Sequence, residues 1–208
     1  MVIYKTEQVS PEIIKIDSSV GLAFFIRTTY LKQVNPLAIV ENAEFNEEQS
    51  EDILDAAMSF NVEVKALSYL ARCEQYRAGL SRKLLNKKFE KKYIDQVLNY
   101  LEEKDFLNDF RWGTFWVNSR KINHFEGRTK LLSELIFRGI DKNTALKILD
   151  EYFRENDEMQ LCIKAYKKYS VHIHSKENES EKIVKYLLRQ GFPIKMIKKA
   201  LSEECFDD

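Results

Sequence analysis

The sequence predicts a predominantly α-helical protein: three tandem three-helix repeats forming an elongated curved array, with a small N-terminal segment containing short β-strands and a helix. Three observations lead there. Only 6 glycines and 3 prolines occur in 208 residues, too few turn-formers for a sandwich or barrel across the whole chain. From about residue 47 the apolar residues take helical spacing, as in Ile53, Ala56, Ala57 and Phe60 at i, i+3, i+4 and i+7. Beyond that helix the chain repeats itself at offsets of 51 and 52 residues.

The N-terminal segment, residues 1–61, differs from the rest. Two of the prolines, Pro11 and Pro36, fall among the runs Ile13-Ile14-Lys15-Ile16, Phe24-Phe25-Ile26-Arg27-Thr28-Thr29-Tyr30 and Leu37-Ala38-Ile39-Val40. β-branched and aromatic residues in such short runs favour strands.

The repeats follow as residues 62–108, 109–155 and 156–208. Aligning Phe89, Ile140 and Phe192 brings six apolar columns into register without gaps. They are Leu80/Leu131/Ile183, Leu84/Leu135/Leu187, Leu85/Ile136/Leu188, Ile94/Ala145/Ile197, Val97/Ile148/Ala200 and Leu98/Leu149/Leu201. Just before the anchor stand Gly139 and Gly191, where a helix ending in the left-handed conformation favours glycine, and Lys88 in the first copy. In the first repeat one helix runs to near Tyr76, a short one covers about 78–87, and Ile94, Val97, Leu98 and Leu101 mark a third. In the second, Asp109 caps a helix whose Trp112, Phe115, Trp116 and Ser119 share a face read as core, and Asp141 caps the last, with Ala145, Ile148, Leu149 and Tyr152 inward. In the third, Pro193 falls near the first turn of the final helix and residues 170–178 read as a surface loop. A bundle of some fifty residues has a marginal core alone, so neighbouring repeats must share apolar surface.

Chemistry-bearing motifs are scarce. The glycines form neither a phosphate-binding loop nor a dinucleotide fingerprint, and neither GxSxG nor HExxH occurs. Cys73, Cys162 and Cys205 are odd in number and without CxxC, which predicts reduced thiols. His172 and His174 would share a strand face, but no nearby ligand completes a metal site. No catalytic residue, metal or cofactor is expected. The N-terminus lacks a signal-peptide pattern, and the longest uncharged apolar run, residues 20–26, is far short of a bilayer span, which predicts a cytoplasmic protein with no membrane partner.

Charge is the informative property. The chain totals 33 basic and 33 acidic residues, but residues 1–60 hold four basic against ten acidic, a net −6, and the rest carries +6. Between Lys65 and Lys130, 15 basic residues face 8 acids. Arg77 and Arg128 share a register at the start of the short middle helix, where a cation opposes the macrodipole. The candidate partner- or DNA-binding residues are Arg72, Arg77, Arg82, Lys83, Lys87, Lys88, Arg111, Arg120, Lys121, Arg128, Lys130 and Arg138. Charge alone does not separate phosphates from an acidic protein groove.

Within this frame the chain resembles the RecX family of recombinase regulators. Ala66-Leu67-Ser68-Tyr69-Leu70-Ala71-Arg72 followed by Tyr76-Arg77-Ala78-Gly79-Leu80-Ser81-Arg82-Lys83-Leu84 is similar to the family's opening motif. Tyr76 stands where the family commonly has a capping Ser or Thr, and Gly79 where it has Glu. Phe106-Leu107-Asn108-Asp109-Phe110-Arg111-Trp112-Gly113-Thr114-Phe115 is similar to its Leu-x-Asp-x-Arg-Phe-Ala-x-x-Phe. Ser119-Arg120, Gly127-Arg128, Glu134-Leu135 and Arg138-Gly139-Ile140 follow in order, and Leu187-Leu188-Arg189-Gln190-Gly191-Phe192 resembles the closing Leu-x-x-Arg-Gly-Phe. The resemblance implies a monomeric, non-enzymatic protein that binds the RecA filament on single-stranded DNA, with weak direct contact to DNA, and restrains RecA ATPase, strand exchange and coprotease activity. The alternatives are a direct DNA binder using helix-turn-helix-like repeats, or a helical scaffold for another protein.

Overall fold

The computed structural model of the chain describes residues 1–171 and 179–204. They fall into two compact units, Met1–Leu107 and Asn108–Asp208.

The first unit begins with an antiparallel sheet in the order β1-β2-β3, formed by β1 (Ile3–Ser10), β2 (Ile13–Ser18) and β3 (Gly21–Arg27). Thr6 pairs with Ile16, and Ile14 with Ile26. Alternate residues of β2, Ile14, Ile16 and Ser18, are buried, as a half-covered strand requires. Ile3, Ile14, Ile16 and Ile26 join one core with Ile53, Ala56, Ala57 and Val62 of α1 (Glu47–Leu70) and Ile94, Val97, Leu98 and Leu101 of α3 (Lys91–Glu103). The acidic N-terminal segment therefore packs on the first repeat. Asn46 opens α1 with a capping box: its side chain accepts from the Gln49 N–H at 2.9 Å, and Gln49 accepts from the Asn46 N–H at 3.2 Å. α1 runs unbroken through residues 61 and 62, so one helix serves both the sheet and the first repeat.

Two local expectations for this unit are corrected. Residues 37–40 are no strand, because Pro36 starts a 3-10 turn, Pro36–Ala38, whose Leu37 N–H is capped by the Asn35 side chain at 3.0 Å. The helix expected to reach Tyr76 ends at Leu70, and α2 (Arg77–Leu85) follows after a short irregular link.

The second unit contains α4 (Asp109–Asn123), α5 (Arg128–Phe137), α6 (Lys142–Glu155), α7 (Glu158–Ser170), α8 (Glu179–Arg189) and α9 (Ile194–Glu204). Asn108, rather than Asp109, caps α4, accepting from the Arg111 N–H at 3.0 Å. Asp141 caps α6 as expected, and Ala145, Ile148, Leu149 and Tyr152 are buried. Pro193 lies just outside α9 and accepts from the Ile197 N–H at 3.0 Å. The repeats dock inside this unit where the Gly127 N–H donates to Gln190 O at 2.8 Å. A Cβ on Gly127 would stand 2.6 Å from Gly191 O, so glycine is what allows the approach.

The repeat register holds in three dimensions. Five of the six columns are buried or nearly so, and the sixth, Leu85/Ile136/Leu188, faces solvent. Lys88, Gly139 and Gly191 adopt φ of 67°, 93° and 89° at equivalent positions. The Gly139 and Gly191 N–H groups close their helices onto Ile136 O and Leu188 O, and the next N–H returns to Leu135 O or Leu187 O. Lys88 adopts the same conformation with a Cβ, at a cost of about 1–2 kcal/mol.

The α4 face read as core is also corrected. Phe115 is 70% exposed and Ser119 is exposed, whereas Gly113 and Val117 turn inward. Trp112 and Trp116 are half-buried and stack on each other at 6.2 Å.

Candidate partner-binding surface

The twelve candidate cations divide by what holds them. In the first unit, Arg77 at the first turn of α2 reaches across to α3, donating to Asn99 at 2.8 Å and pairing with Glu102. In the second, Arg128 at the first turn of α5 pairs with Asp150 of α6, and its own N–H donates to Glu158 at 2.7 Å. Asn99 and Asp150 occupy the same repeat position, one offset of 51 apart. The two junction arginines thus make one repeated tie between middle and last helix, which outweighs the unfavourable helix-dipole position.

Two further cations surround one carboxylate. Glu126, buried just before α5, accepts from Arg120 Nε at 2.8 Å and Arg120 Nη2 at 2.7 Å, and pairs with Lys130 at 2.8 Å. Burial pushes its pKa up, but the hydrogen bonds from Arg120 and Lys130 more than reverse this, so it sits below the ordinary glutamate value. Lys130 also donates to the Gln190 side chain at 2.9 Å. Arg138 pairs with Glu134 and lies 4.5 Å from the Trp116 ring centroid, and Arg120 lies 5.5 Å from the same ring. Glu126 is not among the residues the sequence singles out, yet it is the centre of a buried cluster.

The cations of α2 are placed differently. Arg82 donates to the Tyr76 hydroxyl at 2.6 Å and Lys83 to Gln75 at 2.7 Å. Both sit in the last turn of α2, followed by Lys87 and Lys88, where the helix dipole favours positive charge. Tyr76 makes no side-chain cap, and a Cβ on Gly79 would meet its ring at 2.7 Å. The two departures from the family pattern therefore explain each other: glycine admits the ring, and the ring's hydroxyl holds Arg82. Arg72, Lys87, Lys88 and, in α4, Lys121 are exposed and pair with no described residue. Arg111 is exposed, and its backbone N–H belongs to the α4 cap. Lys91 and Arg189 are equally exposed; neither was among the candidates, and Lys91 belongs to the same basic stretch as the α2 cations.

A second buried cluster carries no candidate residue. Glu63 of α1 accepts from Arg27 Nε at 2.8 Å, from Arg27 Nη2 at 2.6 Å and from the Tyr30 hydroxyl at 2.9 Å. Arg27 also pairs with Glu12 at 2.7 Å and lies over the Tyr100 ring. Hydrogen bonding to Glu63 raises the Arg27 pKa, and burial raises that of Tyr30. Earlier on α1, Asp52 accepts the backbone N–H groups of Lys32, Gln33 and Val34 at 2.9–3.1 Å. Burial alone would raise the Asp52 pKa; these donors bring it below the ordinary value.

Among the described residues no group of three His, Cys, Asp or Glu is placed to hold a metal ion, and no helix is long and apolar enough to cross a membrane. His172, His174 and Cys205 lie outside the described residues. Cys73 is exposed and Cys162 buried, both as free thiols, and burial pushes the Cys162 thiol up to about 11.

No family model matches the chain. It is 33% identical over 122 residues to the regulatory protein RecX of Treponema pallidum (strain Nichols), covering 59% of this chain and 74% of that protein. Over 203 residues it is 26% identical to the regulatory protein RecX of Clostridioides difficile (strain 630), covering 97% and 95%. A crystal structure of a regulatory protein RecX matches it in fold with a TM-score of 0.75, covering 95% of this chain and 98% of that one at 19% identity. With its repeat motifs in order and a relative of this similarity, the chain belongs to the RecX family of regulatory proteins.

Proposed function

We propose that this protein is a non-enzymatic regulator that binds the RecA filament on single-stranded DNA and lowers its ATPase, strand-exchange and coprotease activities in recombination and repair. Membership of the RecX family is the observation that carries the reading. The residue-level picture agrees with it in kind: cations projecting from helix ends suit contact with an acidic polymer, and several modest contacts add up along an array. In this reading the segment 1–61 supports the first repeat, and the repeats 62–108, 109–155 and 156–208 each supply part of the contact. The protein acts as a cytoplasmic monomer. Arg72, Lys87, Lys88 and Lys121, which pair with no described residue, reach the partner; Arg82 and Lys83 precede Lys87 and Lys88 along the chain, and Arg111 shares α4 with Lys121. Arg77, Arg120, Arg128, Lys130 and Arg138 shape the helices that present them.

The test is a titration of RecA-catalysed ATP hydrolysis on single-stranded DNA. Substoichiometric protein lowers the rate, and the variant with Arg72, Lys87, Lys88 and Lys121 changed to alanine does so only at higher concentration. Unchanged hydrolysis together with no binding to the filament overturns the reading.

A further inference from the structure

One column of the repeat register has no structural explanation. Leu85, Ile136 and Leu188 occupy the last turn of α2, α5 and α8, and they are 42%, 43% and 46% exposed. Their chain neighbours Leu84, Leu135 and Leu187 are fully buried. The helix ends do not need these side chains. Only their backbone carbonyls take part, accepting from Lys88, Gly139 and Gly191 at 2.9, 2.8 and 3.0 Å. In such caps the apolar contact across the helix end falls to the preceding position. A single exposed leucine means little; the same exposed aliphatic at one position in three repeats is a pattern.

We propose that these three side chains are the points at which the protein seats on its partner, and that the partner surface is acidic protein bearing a recurring apolar hollow. The inference rests on the regulator reading and deepens it by assigning the contact to protein rather than to phosphate. Charge identifies the occupant. From residue 75 to residue 89 the chain holds no acid, and Lys87 and Lys88 beside Leu85 pair with no described residue. Ile136 is followed by the strongly exposed Phe137 and by Arg138, and Leu188 by the exposed Arg189. Each helix tip thus joins a branched aliphatic to a cation within three residues; the cation pairs with no described residue at the first and third tips and with Glu134 at the second. The apolar group common to the three tips is a branched aliphatic with no ring to stack on a base, Phe137 standing at the second tip alone, and phosphate contacts are made by cations and polar donors without an aliphatic. An apolar hollow rimmed by carboxylates takes both parts of the tip, and a filament of identical subunits offers that hollow repeatedly.

The test measures cosedimentation of the full chain with preformed RecA filaments, and in parallel its binding to bare single-stranded DNA. The variants are Leu85→Ser, Ile136→Ser and Leu188→Ser, singly and combined, each with a thermal melt to verify the fold. Each single change is expected to weaken filament binding about tenfold and the triple change at least about a hundredfold, with bare-DNA binding and melting unchanged. If wild-type protein binds the filament and the folded variants bind equally well, the proposal falls and the regulator reading stands. If the variants lose bare-DNA and filament binding in proportion, the contact is to nucleic acid and the proposal falls. If wild-type protein does not bind the filament, the regulator reading falls and takes the proposal with it. Should the triple variant not fold, the single variants decide.

Discussion

In the first unit one buried carboxylate, Glu63, holds a cation, Arg27, that comes from a strand 36 residues earlier in the chain. In the second, one buried carboxylate, Glu126, holds two cations, Arg120 and Lys130, from within six residues. The first arrangement ties sheet to helix and leaves the cations at the C-terminal end of α2 at the surface. The second takes up the same kind of residue that the basic stretch offered as a binding surface. Positive charge along a sequence therefore serves two ends, and what decides between them is whether a carboxylate stands within reach.

The largest expected effect breaks this comparison at its centre. Changing Glu63 to alanine leaves Arg27 in a mostly buried site with Glu12 as its remaining carboxylate, and Tyr30 without its acceptor. Removing one partner of such a pair is expected to cost about 3–5 kcal/mol. Glu126→Ala is expected to cost less, about 2 kcal/mol, because Arg120 and Lys130 are partly exposed and can turn to water. Urea melts read locally by hydrogen exchange check the order; a Glu126 variant that loses as much as the Glu63 variant would erase the contrast.

The left-handed helix ends sharpen it next. Gly191→Ala puts a Cβ at φ 89° against the Lys130 backbone and is expected to destabilise the second unit by about 1–3 kcal/mol. Lys88→Gly at the equivalent place, φ 67°, relieves a strained residue and is expected to stabilise the first unit by about 1 kcal/mol. Opposite signs at one repeat position, read from thermal melts, are the outcome to look for.

Acid gives a third measurement. Asp52 and Glu126 both have pKa values below their ordinary 3.8 and 4.5. Each therefore contributes stability that is complete above those ordinary values and is lost as pH falls through the lower folded-state values. Melting temperature should hold steady down to about pH 5 and then fall. Asp52→Asn should flatten the acid limb of the first unit and Glu126→Gln that of the second, each starting from a lower plateau. An acid limb unchanged by either substitution would show that other groups govern it.

These features were unequally legible in the sequence. The buried columns and the helix ends at Gly139 and Gly191 could be read because helical spacing and glycine are local signals, and Lys88 could be placed only by aligning the repeats. Strand β1 gave no signal, since Ile3 is its one fully buried residue. Residues 37–40 looked like a strand because composition outweighed the turn that Asn35 and Pro36 impose. The face of α4 was misread because Trp112, Phe115 and Trp116 dominate its apolar pattern, whereas the small Gly113 and Val117 are what turn inward. For the candidate surface, types and positions were readable but partners were not, because a cation's partner is chosen by tertiary neighbours. One such pairing was within reach: the offset that aligns Arg77 with Arg128 also aligns Asn99 with Asp150.

The smallest expected effect on stability tests that division of labour among the cations. Lys87→Ala removes a side chain that pairs with no described residue and is expected to shift stability by less than about 0.5 kcal/mol. Arg128→Ala frees Asp150 and removes the tie between α5 and α6, with an expected cost of about 1 kcal/mol, since the pair is partly exposed. If Lys87 contacts the partner and Arg128 is structural, Lys87→Ala weakens inhibition of the RecA ATPase at unchanged melting temperature. Arg128→Ala lowers the melting temperature and leaves inhibition intact at temperatures where the variant is folded. The reverse pattern would move the contact from the tip of α2 to the junction between the helices of the second repeat, because a residue held by an internal carboxylate would then be the one the partner reads.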